Sequence, residues 1–99
     1  MNALLPIHHD HPAFTGHFPG DPIVPGVVLL DEMLHAIGLQ LKTDVSACVI
    51  KVMKFLSPVR PGETVSVDFV LADNGLVRFT LHSDDRKVAI GAFNLPAIP

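Results

Sequence analysis

Gly16-His17-Phe18-Pro19-Gly20-Asp21-Pro22-Ile23-Val24-Pro25-Gly26 runs without a break into Val27-Val28-Leu29-Leu30-Asp31-Glu32. The order is a stiff loop carrying one histidine, then the start of a helix. Pro19, Gly20, Pro22 and Pro25 fix or free the backbone at short intervals, so the loop is shaped rather than slack. Pro25 stands where a first helical turn tolerates proline, and Gly26 lets another group come close to the helix's free N–H groups. A histidine on a rigid loop, an exposed helix N-terminus and a carboxylate one turn further in are the parts of an acid–base site.

From Pro25 to about Leu41 the pattern is helical. Val27, Leu30, Leu34, Ile37 and Leu41 recur every three or four residues and draw one apolar stripe, expected to form the core face. At about 100° per residue, Asp31 falls on the border of that stripe, one turn above Val27, while Glu32 points nearly the opposite way. Asp31 is therefore expected to look into a partly buried site and Glu32 into solvent. Gly38, on the Asp31 side, predicts that something packs closely against the helix.

Upstream, Asn2 to Ile7 reads as an apolar edge strand ended or interrupted by Pro6. His8-His9-Asp10-His11 gathers four metal-capable side chains, but their spacing suits neither a helical nor a strand ligand pair, and the cluster reads as a polar loop without a metal. Phe14 and Phe18 bracket Gly16-His17 and are expected to line a pocket or an interface, or to join the core. His35 and His82 read as ordinary helix and strand-surface residues.

Downstream of Lys42-Thr43-Asp44 the pattern turns to strands. Val45 to Leu56 is rich in β-branched and apolar residues, broken by Lys51 and Lys54. Two prolines and a glycine mark a turn in Ser57-Pro58-Val59-Arg60-Pro61-Gly62-Glu63. Val65, Val67 and Phe69 alternate with polar residues, and so do Val77, Phe79 and Leu81, with Asp73-Asn74-Gly75 as a strong hairpin signal between them. Ser83-Asp84-Asp85-Arg86 turns again, and Val88 to Leu95 is the last strand. The reading is a single α+β domain over residues 1–99, one early helix followed by a meander of about four antiparallel strands that wraps it.

The composition limits the function classes. With 48% hydrophobic and 17% charged residues, the 99-residue chain is more apolar than a solitary small domain needs, which predicts a second subunit over part of its surface. The single cysteine, Cys48, excludes an intrachain disulfide and a cysteine metal cluster. No apolar run reaches the roughly 18 residues of a membrane span and no signal peptide is legible, so a cytoplasmic protein with no membrane partner is expected. A net charge of −3 without a lysine–arginine cluster argues against nucleic acid.

The opening stretch, the single early helix and the strands after it together resemble the hotdog fold. In particular, Gly16-His17-Phe18-Pro19-Gly20, Pro22-Ile23-Val24-Pro25-Gly26-Val27 and Asp31 are similar to the (3R)-hydroxyacyl-acyl-carrier-protein dehydratases of the FabZ and FabA type. Phe55-Leu56-Ser57-Pro58-Val59-Arg60-Pro61-Gly62-Glu63 is a weaker match. The similarity covers roughly residues 11 to 95, and the short portion before the histidine loop is similar to the dehydratases of aryl-polyene pathways. The resemblance implies that His17 and Asp31 are the catalytic pair and that Gly26 turns its N–H towards the thioester carbonyl. It implies further that the Ile23 carbonyl orients the histidine ring, with Val27, Phe14 and Phe18 beside the substrate. The carboxylate position holds aspartate, as in the FabA type, where the FabZ type has glutamate.

The implied reaction removes water from a 3-hydroxyacyl thioester, in fatty-acid or polyene biosynthesis, and requires neither a metal nor an organic cofactor. A base near C2 and an acid near the C3 oxygen are needed, and neutral His17 suits the first role. Asp31 either protonates the departing hydroxyl or orients it while His17 ferries the proton. The substrate is expected on the phosphopantetheine arm of an acyl carrier protein, or on coenzyme A, guided by a local basic patch that includes Arg60, Arg78 or Lys54. The resemblance also implies a homodimer whose site takes His17 from one chain and Asp31 from the other. Two alternatives remain open: a hotdog acyl thioesterase, and a catalytically inactive hotdog subunit that binds acyl chains or completes a heterodimer.

Overall fold

The computed structural model describes residues 1–5 and 23–95. In chain order it contains β1 (Asn2–Leu5), helix α1 (Gly26–Leu41), β2 (Val49–Phe55), β3 (Val65–Leu71), β4 (Leu76–Ser83) and β5 (Arg86–Asn94). The strands form one antiparallel sheet in the order β1-β3-β4-β5-β2. Along β3 and β4 the period-two pattern holds: Val65, Val67 and Phe69, then Val77, Phe79 and Leu81, are buried on one face. Val88, Ala89 and Phe93 of β5 join them, and Val28, Leu29, Met33 and Ile37 of α1 close the core from the helix side.

The turn chemistry explains the meander from β3 to β5. Gly75 takes φ 83°, the left-handed region where glycine is unstrained, and the Asn74 side chain accepts the Leu76 N–H at 3.1 Å. Asp84 takes φ 54° in the next turn. The meander does not extend to β2, which the sequence reading placed next to β3. β2 instead crosses to the far side of β5 and pairs Val49–Phe55 with Ala89–Asn94. The cause is the connection after β2: nine residues, Leu56 to Thr64, containing Pro58 and Pro61, cannot make a tight hairpin. β1 is an edge strand, as expected, and β2 is the other edge.

The helix also departs from the reading. Its buried face is Val28, Leu29, Met33, Ala36 and Ile37, not the stripe from Val27 to Leu41. Of that stripe only Ile37 is fully buried; Leu30, Leu34 and Leu41 are half-buried, and Val27 is 70% exposed. The helix is apolar nearly all round, so two stripes fit the period equally well, and the sheet takes one of them. Gly38 is covered as expected: a Cβ there would stand 3.0 Å from the Thr43 carbonyl oxygen.

Candidate active site

α1 begins at a built corner. The Val24 N–H donates to the Val59 carbonyl at 2.7 Å, which ties the approach to the helix onto the loop that leaves β2. Pro25 is the N-cap residue rather than the first helical residue, and no side chain caps the helix. The N–H groups of Val28 and Leu29 bond back to the Pro25 carbonyl at 3.0 and 3.3 Å. The Gly26 and Val27 N–H groups precede the first intrahelical bonds and belong to the donors that a helix start leaves open, at its positive end.

This corner opens on an apolar cleft of about 530 Å³, lined by Ile23, Gly26, Leu29, Phe55, Leu56 and Val59 among others. The Phe55 ring lies over Gly26: a Cβ on that residue would stand 2.8 Å from Cζ. The ring leaves little room for a side chain at position 26 unless it swings aside, apart from any use of the Gly26 N–H. Phe55 and Leu56 are 52% and 53% exposed, so the lip of the cleft is apolar and open to solvent.

Among the sequence-predicted residues, Ile23 and Gly26 meet in this cleft. Val27 does not line it; the side chain stands outside on the helix. Asp31, one turn on, shares that outward face and is exposed, whereas Glu32 is half-buried. The two carboxylates therefore have the reverse of their expected exposures within one chain, because the helix turns its other stripe to the sheet. His17, Phe14 and Phe18, and the His8 to His11 cluster, lie outside the described residues. Sequence reasoning from patterns missed Phe55, Leu56 and Val59 as cleft residues, and only the Phe55-to-Glu63 motif signalled that stretch.

The remaining polar groups divide into structural clips. The Glu63 carboxylate accepts the Arg60 backbone N–H at 2.6 Å, the Ser83 hydroxyl at 3.0 Å and the Arg86 guanidinium at 2.5 Å. The Arg60 N–H above all, helped by Ser83 and Arg86, holds this carboxyl below its ordinary value. On the sheet's outer face Asp68 accepts from Asn2 and pairs with His82, each at 2.6 Å. Asn2 leads in holding Asp68 below its usual range, so His82 is more engaged than a plain surface residue. Burial pushes the Cys48 thiol up, which keeps it protonated and a poor nucleophile. No helix of the described residues is long and apolar enough to cross a membrane.

A 3-hydroxyacyl-[acyl-carrier-protein] dehydratase FabZ from Pasteurella multocida is 36% identical over 90 residues, covering 81% of this chain and 59% of the relative. The chain thus spans about three-fifths of the length of the curated relatives it matches. Among solved structures, the dehydratase heterocomplex ApeI:P from Xenorhabdus doucetiae superposes with a TM-score of 0.66 at 27% identity, over 85% of this chain and 75% of the other. A mutant of the fluoroacetyl-CoA-specific thioesterase FlK superposes at 0.65 with 12% identity, over 94% of this chain and 84% of the other, a likeness of fold alone. One helix against a five-stranded antiparallel sheet, shared with these neighbours, is the hotdog fold. The family model described as ApeI-like, ApeI dehydratase, matches residues 1–92, and this chain belongs to that family.

Proposed function

We propose that the protein is a (3R)-3-hydroxyacyl thioester dehydratase in which His17 and Asp31 do the chemistry and Gly26 binds the thioester carbonyl. The observation that carries the reading is the uncapped start of α1 at Gly26, opening on an apolar cleft with Asp31 one turn along. Curated relatives that are 3-hydroxyacyl-[acyl-carrier-protein] dehydratases support the substrate class.

His17 takes the C2 proton, and the C–H electron pair becomes the C2–C3 π bond. The C3–O pair leaves with the hydroxyl, which takes up a proton, given by Asp31 or carried over from C2 by His17, and departs as water, giving the trans-2-enoyl thioester. During this step negative charge gathers on the thioester oxygen. The Gly26 N–H, at the positive end of α1, meets that charge; a donor so placed is worth about 3 kcal/mol in the transition state.

In one chain Asp31 stands in water, which suits a carboxylate that must direct a hydroxyl poorly. Val27, Leu30 and Leu34 surround it with apolar surface that is fully or half open. A second copy seated there would withdraw Asp31 from water and bring the other chain's His17 loop to it. The exposed apolar residues Val49 and Ile50 of edge strand β2 supply a second contact surface for such a dimer.

The test is a spectrophotometric assay of 3-hydroxyacyl thioesters of graded chain length, following the conjugated enoyl product. Wild type is expected to form it, Asp31→Asn to lose at least about 100-fold in kcat, and Glu32→Gln to keep most of its activity. Equal damage from Glu32→Gln would assign the role to the wrong carboxylate, and release of free thiol in place of enoyl product would mean a thioesterase.

A further inference from the structure

The outer face of the sheet, which the chemistry above does not use, carries a second groove. Its volume is also about 530 Å³, and Lys51, Lys54 and Arg78 stand around a floor that includes Ile90 and Ala92. The register explains the shape. Arg78 of β4 and Val52 of β2 both pair with Ala92 of β5, and Lys54 pairs with the next outward residue, Ile90. Ala92 on the middle strand thus lies between Arg78 and Val52, with Lys54 one outward step further along β2, and the two flanking strands lie about 10 Å apart at the usual strand spacing. The ladder shifts register between Ile50 and Val52, which places Lys51 in the irregular step beside this row.

All three cations are exposed, and none is ion-paired with another described residue. Asp68, on the strand beside Arg78, is held by Asn2 and His82. A chain with net charge −3 therefore concentrates three of its seven lysines and arginines around one apolar trough. That combination fits a partner with an acidic surface and an apolar ridge, not a bare anion.

We propose that this outer-face groove is where an acidic acyl carrier protein docks. The proposal rests on the dehydratase reading for the identity of the partner, and it places the carrier on the sheet face opposite the helix. Lys54 and Phe55 are consecutive on β2 and point to opposite faces: Lys54 to this groove, Phe55 to the cleft at Gly26. The carrier's phosphopantetheine arm has only to round the end of β2 at Leu56 and Ser57, which line the cleft. Of the cations expected from the sequence to guide docking, Lys54 and Arg78 belong to this groove; Arg60 does not line it.

The experiment measures binding of a phosphopantetheinylated bacterial acyl carrier protein by calorimetry, and turnover of one 3-hydroxyacyl group carried either on that protein or on N-acetylcysteamine. The K51E/K54E/R78E variant is expected to bind the carrier at least about tenfold more weakly and to raise KM for the carrier-borne substrate by a similar factor. Turnover of the small thioester should stay at the wild-type level, which also shows that the variant is folded. Arg78→Gln alone should move carrier binding in the same direction by a smaller factor. Carrier affinity unchanged in the triple variant overturns the docking site. So does an altered oligomeric state of that variant with unchanged carrier affinity, which would assign the groove to a second copy. If wild type turns over neither thioester yet its carrier binding is lost in the variant, the docking stands and the dehydratase reading fails.

Discussion

At the scale of single residues, glycines mark where the chain has no room. A Cβ on Gly91 would stand 2.2 Å from the Val52 carbonyl oxygen and 2.6 Å from Phe79 Cζ. The first of these is backbone of the neighbouring strand, so relief requires β2 to move. Gly91→Ala is accordingly expected to cost about 2 kcal/mol or more, read as a lower midpoint in urea unfolding. Gly26 differs, because the obstacle is a half-exposed phenylalanine ring that can swing aside. A wild-type midpoint for Gly91→Ala would mean that β2 does not lie against Gly91 as described. The partner in this contact was not legible beforehand: a lone glycine in a strand pattern announces close approach but not what approaches.

At the scale of elements, local chemistry was legible and long-range pairing was not. Asn74-Gly75 declared its hairpin, and the alternation from Val65 to Phe69 and from Val77 to Leu81 declared which face was inward. The position of β2 was hidden, because a crossing connection leaves no period in the sequence. The face of α1 was hidden for a different reason: Val27, Leu30 and Leu34 fit a core stripe as well as Val28, Leu29 and Met33 do. The crossing loop is held by Glu63, which joins it to Ser83 of β4 and Arg86 of β5. Its folded pKa is depressed, so its stabilisation is complete above the unfolded value near 4.5 and is lost as pH falls through the folded value. Urea midpoints of wild type and Glu63→Gln should therefore differ most near neutral pH and converge as pH falls through the depressed folded value. A gap that persists undiminished at acid pH would show that the clip does not depend on the carboxylate's charge.

At the scale of the whole molecule, one chain is an unfinished object. Edge strand β2 exposes Val49, Ile50, Val52 and Phe55, and α1 exposes Val27 beside Asp31. The high apolar fraction is the ground for expecting a partner subunit, and of these exposed residues Val27, Val49 and Ile50 are surfaces the proposed dimer would cover. The stretch from Gly16 to Asp31 stands out in the sequence because a histidine among prolines and glycines before a helix start is an unusual local pattern, and the described residues place that helix start at Gly26. The exposure of Asp31 was not legible there, since it depends on which of its two apolar stripes α1 turns to the sheet. The proposed site, built from His17 of one chain and Asp31 of its partner, is open to a complementation experiment. His17→Ala and Asp31→Asn proteins, each inactive alone, are unfolded and refolded together, and enoyl thioester formation is measured. Random pairing makes about half the dimers mixed, each with one intact site and one doubly altered site, so about a quarter of wild-type activity should return. A mixture that stays inactive although mixed dimers are present would place both residues within one chain and contradict the account.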